Sequence, residues 1–89
     1  MTTNIIVYEG QVNKRSCFAR IFLSECEHDE PIRMADWLCD HSELKLYGAQ
    51  WDYITDSGSV DVRMPYDTIA DVLKAEVELR VAQYKEEKQ

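Results

Sequence analysis

Apolar and polar residues follow strand or helix spacing along most of the chain, and the pattern resolves into six elements. Residues 4–9 hold Ile5-Ile6-Val7-Tyr8, a β-branched and aromatic run that predicts a strand ended by Gly10. Residues 12–15 predict a turn with two exposed bases. Residues 16–24 fit two periods. Cys17, Ala19, Ile21 and Leu23 alternate with Phe18, Arg20 and Phe22 as in a strand, while Phe18, Ile21, Phe22 and Glu25 fit helical spacing. The strand is preferred, because a hairpin with the first run gives both a partner and short strands do not stand alone.

Asp29-Glu30-Pro31 predicts a helix start, with Pro at the first helical position and acids at the positive end of the dipole. Ile32, Ala35 and Leu38 form its apolar face, Met34 and Trp37 lie beside it, and it ends near Asp40 or His41. Residues 49–56 and 60–64 flank Ser57-Gly58, which reads as a two-residue hairpin loop. That loop places Thr55 opposite Val60, Tyr53 opposite Val62 and Trp51 opposite Met64 on one face, with Asp52 opposite Arg63 on the other.

Pro65 closes the last strand, and from Tyr66 to about Lys85 the spacing is helical. Thr68-Ile69-Ala70-Asp71 is similar to a capping box. Tyr66, Ala70, Leu73, Val77 and Tyr84 form one apolar stripe; Val72, Ala75, Leu79 and Ala82 form a second. Such a helix is about 30 Å long, as long as the whole domain is wide, at about 30 Å. Its C-terminal end is therefore expected to overhang, and either to fray or to pack on a second chain through Leu79, Val81 and Tyr84. The fold class is α+β in the order ββαββα: a small antiparallel sheet of two hairpins, a short middle helix and a long C-terminal helix. Residues 1–89 read as one domain, without linker, repeat or low-complexity stretch.

Composition adds one unusual quantity. The chain has 17 acids and 10 bases, a net charge of −7. Residues 1–24 are net +2, residues 25–78 net −10 and residues 79–89 net +1. Direct binding to nucleic acid or to an anionic membrane is disfavoured, since both need clustered Lys and Arg. Three cysteines are too few for a disulfide framework, the N-terminus has no signal-peptide pattern, and no apolar run reaches membrane-spanning length. A cytoplasmic protein with reduced thiols is expected.

Motif chemistry is sparse. Cys26-Glu27-His28 and Cys39-Asp40-His41 together offer two thiolates and two imidazoles, a ligand set that zinc accepts. Their spacing is not that of common zinc sites, and the competing reading makes Cys39 a small core residue and both His solvated. There is no Gly-x-Ser-x-Gly elbow, the acids around Cys26 oppose thiolate formation, and the three glycines build no phosphate loop. The reading is non-enzymatic, with no cofactor.

The acids are the sharper signal. Glu25, Glu27, Asp29 and Glu30 crowd one loop; Asp52, Asp56 and Asp61 share the polar side of the second hairpin; Asp67, Asp71 and Glu78 lie on one helical stripe. Solubility alone explains a net charge of this size. The functional reading makes these ten residues a surface that occupies a basic, nucleic-acid-binding site on a partner protein, with carboxylates standing in for phosphates. In size, charge and lack of catalytic motifs the chain resembles small phage-encoded inhibitors that mimic DNA. An adaptor or homodimer using the C-terminal helix is the second reading, and a zinc module the third.

Overall fold

The fold is seen in a computed structural model, which describes residues 2–9, 17–64 and 70–88. The elements are β1 (Thr2–Glu9), β2 (Cys17–Ser24), α1 (Glu30–His41), a short 3-10 helix (Glu43–Tyr47), β3 (Gln50–Ile54), β4 (Ser59–Met64) and α2 (Ala70–Lys88). The order is ββαββα, as the periodicity predicts, and residues 17–24 are a strand. The turn at 12–15, Gly10, Pro65, Asp67 and most of the capping box lie outside the described residues.

The strands form one antiparallel sheet in the order β1-β2-β4-β3, so the two hairpins join through β2 and β4. Both helices cover one face: α1 packs on β3 and β4, α2 on β1 and β2. The core between the layers contains Ala19, Ile21, Val60 and Val62 from the sheet, Met34 and Leu38 from α1, and Leu73 and Val77 from α2. No helix among the described residues is long and apolar enough to cross a membrane.

The second hairpin departs from the predicted register by two residues. Tyr53 pairs with Val60 and Trp51 with Val62; Thr55 has left the strand, and Asp52 faces Asp61 while Gln50 faces Arg63. The loop holds four residues, Thr55 to Gly58, because Gly58 takes a left-handed conformation (φ 66°) and donates its N–H to the Thr55 carbonyl at 3.3 Å. Side chains repeat every two residues, so this shift keeps each residue on its face and changes only its partner. The predicted Asp52–Arg63 pair does not form. Asp61 instead takes two hydrogen bonds from Arg20 on β2, at 2.8 and 2.9 Å.

The long helix also differs from its predicted role. Leu73, Val77, Val81 and Tyr84 face the core, and the second stripe, with Val72 at 58% and Leu79 at 51% exposure, faces outward. The C-terminal end does not overhang. The fold extends 38 Å along its longest axis, more than the roughly 28 Å of a 19-residue helix. Lys85 Nζ donates to Thr3 Oγ1 at 3.2 Å, and the Trp37 indole N–H donates to Glu87 at 2.7 Å.

One buried carboxylate joins the helices. Glu30, in the first turn of α1, is 3% exposed. It accepts the Tyr84 hydroxyl at 3.0 Å and pairs with Arg33 one turn along. Burial, and then the negative charge of Glu30, push the Tyr84 phenol up to about 12. At the other end of α1, the Ser42 hydroxyl donates to Glu76 at 2.9 Å and accepts from the Leu44 N–H at 3.2 Å, opening the 3-10 helix.

Two stability outcomes follow from these contacts. A Cβ added at Gly58 would lie 3.0 Å from the Leu23 carbonyl oxygen, on backbone that cannot swing aside. Gly58→Ala therefore lowers unfolding stability by about 1–2 kcal/mol, read from the urea midpoint at unchanged m-value. Tyr84→Phe removes a bond to a buried carboxylate and costs about 1–3 kcal/mol at neutral pH. The raised phenol pKa also sets an alkaline limb. Its contribution is complete below pH 10 and is lost as pH climbs from 10 towards 12, because the unfolded chain gives up this proton first. Urea midpoints at several pH values show a shallower decline over that range in the Phe variant.

Candidate functional site

Ser24 ends β2, and the chain turns out of the sheet through Glu25, the only non-glycine with positive φ (58°) among the described residues. The Leu23 N–H donates to the Gly58 carbonyl at 2.7 Å, which ties the β3–β4 turn to the end of β2. Asp56 in that turn, Glu25, Glu27 and Asp29 of the β2–α1 connection, and Glu30 at the start of α1 are thereby gathered at one end of the fold. Helical geometry then organises part of the group. The Ile32 and Arg33 N–H groups donate to the Asp29 carbonyl at 3.1 and 3.3 Å. Arg33, three and four residues after Glu30 and Asp29, reaches back to both and also bonds Glu27 at 3.1 Å.

Three of the five carboxylates at this end, Glu27, Asp29 and Glu30, thus share one guanidinium. Hydrogen bonds that the guanidinium donates to Glu30 and Asp29 raise the Arg33 pKa above its ordinary value, and its bond to Asp29 holds that carboxyl below the usual range. Glu25 and Asp56 are exposed and take part in no ion pair among the described residues. Of the predicted acidic loop, Glu30 is not surface: it is consumed by the core contact with Tyr84. Glu27 and Asp29 are exposed but partly neutralised.

The other predicted acids are not brought to the same place. Asp52 and Asp61 lie on the uncovered sheet face together with Arg20 and Arg63, and Arg20 pairs with Asp61. Asp71 and Glu78 are on α2, with Glu78 4.0 Å from Lys74. Asp67 lies outside the described residues. The ten acids do not share one face.

Two further groups are repositioned. Of the three residues expected at a dimer contact, Val81 (2% exposed) and Tyr84 (4%) are inside the chain's own core, because Tyr84 turns inward to Glu30; Leu79 alone is open. Cys26, His28, Cys39 and His41 do not converge, and no cluster of three or more His, Cys, Asp or Glu residues suited to a metal ion forms among the described residues. Cys39 is exposed rather than part of the core, since α1 turns Pro31, Met34, Ala35 and Leu38 inward. His41 stacks on Trp37 with ring centres 4.0 Å apart, its Nδ1 2.8 Å from the Trp37 carbonyl oxygen.

Sequence reasoning missed two surfaces. The uncovered sheet face is partly aromatic: Tyr8 and Phe18 stack at 4.7 Å, and Arg20 sits 5.8 Å from the Phe18 ring centre. The alternation of Phe18, Arg20 and Phe22 carries this signal once the segment is known to be a strand. The second surface is a groove of about 410 Å³ between the edge of β1 and α2, which depends on how the helix is rotated.

No family model matches the chain, and comparison with curated proteins and with solved structures finds no significant match to either.

Proposed function

We propose that this chain is a non-enzymatic, cytoplasmic binding protein whose acidic end occupies a basic, nucleic-acid-binding surface of a partner protein, as an inhibitor or DNA mimic does. The observation that carries this reading is the Leu23–Gly58 hydrogen bond. It holds two loops, far apart in sequence, as one end rich in carboxylates. Glu25, Glu27, Asp29 and Asp56 are its exposed members. Carboxylates separated by several ångströms can take the place of backbone phosphates against Lys and Arg. Their field steers association and weakens with salt. The site is narrower than the sequence predicts: Glu30 supports it from inside, and Asp52, Asp61, Asp71 and Glu78 lie elsewhere.

The test is retrieval of nucleic-acid-binding proteins by the immobilised chain, followed by competition with duplex DNA. Binding is expected to fall steeply between low and high salt and to be displaced by DNA. The double change Glu25→Lys/Asp56→Lys weakens it about tenfold or more, in line with about 1 kcal/mol per exposed charge contact. Asp71→Lys, at the opposite end of α2, leaves it within about twofold. Retention indifferent to salt, or equal losses in both variants, contradicts the reading.

A further inference from the structure

We propose that a second copy of this chain docks along the open edge of β1, continuing the sheet from β1 to β1 and setting the two α2 helices side by side. This inference uses none of the acidic residues of the proposed partner site and stands apart from it.

β1 is an outer strand of eight residues, paired on one side only among the described residues. Its sequence has no Lys, Arg or Pro, and its single charge, Glu9, is at the end. Soluble proteins usually protect such an edge with charge, proline or short length. The other outer strand, β3, follows that rule: it is five residues long and has Asp52 at its centre. The difference singles out β1 as the edge built to be paired.

The helix above completes the surface. Lys74, Glu78, Ala82 and Lys85 line the groove beside Thr3 and Ile5. They recur at i, i+4, i+8 and i+11, which is one stripe of the helix. An antiparallel pairing centred on Ile5 sets Ile5 against Ile5 and Thr3 against Val7, and keeps the helix-facing side chains of both copies on one side. Lys85 bonds Thr3, so the helix level above Ile5 is about four residues back, near residues 80–81. A two-fold axis there brings Glu78 of each copy within reach of Lys85 of the other, with the small Ala82 between them.

The spacing also fits. α2 packs on both β1 and β2. Its axis therefore lies slightly inside the edge, and one added strand spacing of about 4.8 Å leaves the two helix axes about 10 Å apart, an ordinary packing distance. Electrostatics favour this approach for a second copy. The chain is net −7, whereas the charged residues lining this groove are Lys74, Lys85 and Glu78, so it carries no excess of acids. The uncovered sheet face is balanced too, but a face-to-face dimer would bury Asp52, which has no ion-pair partner among the described residues, at a desolvation cost.

Sedimentation of the full chain from about 10 µM to about 1 mM tests the proposal, since edge contacts of this size fall at the weak end of specific interfaces. A dimer fraction that grows with concentration is expected. Glu78→Lys and Lys85→Glu each raise the dissociation constant about tenfold or more, and the double change Glu78→Lys/Lys85→Glu returns it to within about threefold. The double variant guards against a simple folding defect. A wild-type chain that stays monomeric throughout overturns the proposal. So does a dimer that ignores both single changes, or one that dissolves instead on Ile54→Asp in the uncovered face.

Discussion

The arrangement of the helical layer depends on one buried carboxylate. Glu30 lies within the first turn of α1 at 3% exposure, where an unpartnered charge would be heavily penalised. Two of its partners come from different directions: Arg33 from the same helix and Tyr84 from 54 positions along the chain. Satisfying both fixes how α1 and α2 are rotated against each other. With Tyr84 turned in, Val81, Val77 and Leu73 follow it into the core by helical spacing. Trp37 meets the Tyr84 ring edge-on at 5.5 Å and reaches Glu87. The same rotation leaves Lys74, Glu78 and Lys85 along the β1 edge and turns Val72 and Leu79 to solvent. One contact thereby decides both what is core and what is available surface.

Much of this architecture is legible in local pattern. Alternation in residues 17–24, the Asp-Glu-Pro helix start and the long helical period after Pro65 lead directly to ββαββα, and Trp51, Tyr53, Val60, Val62 and Met64 share one face of the second hairpin as predicted, while Thr55 falls in the turn. The failures share a cause. Register depends on the turn, and a four-residue turn with Gly58 left-handed looks the same in periodicity as a two-residue one. The burial of Glu30 depends on a residue 54 positions away, so local spacing reads it as one more solvated acid. The two apolar stripes of α2 are equally apolar in sequence, and only that long-range contact selects between them.

The charge layout follows the same logic. An acidic middle of net −10 invites the picture of a single negative face, yet the fold divides it. Asp61 goes to Arg20, Glu76 to Arg80 at 2.9 Å, and Glu27, Asp29 and Glu30 to Arg33. The i,i+3 and i,i+4 spacing to Arg33 is visible in the sequence and is the signal that the loop is partly neutralised. The Arg20–Asp61 pair, 41 positions apart, is not. What survives as unpaired negative charge at this end among the described residues is Glu25 and Asp56, brought together by a backbone hydrogen bond between the end of β2 and the β3–β4 turn.

An uneven surface of this kind separates orientation from contact. The uncovered sheet face and the β1–α2 flank are close to neutral, so neither attracts a charged molecule from a distance. The end where, among the described residues, Arg33 pairs with three carboxylates and leaves Glu25 and Asp56 unpaired does, and the potential of such a cluster extends roughly a Debye length into solvent, about 8–10 Å at physiological salt. A cationic partner of the proposed kind would be turned end-on before any side chain touched, and a second copy docking as proposed would be repelled by that end and would approach along the flank. Both approaches would trace to the same structural fact: the acids are sorted by where a guanidinium can reach them, and among the described residues the unreached ones mark an acidic end of the sheet.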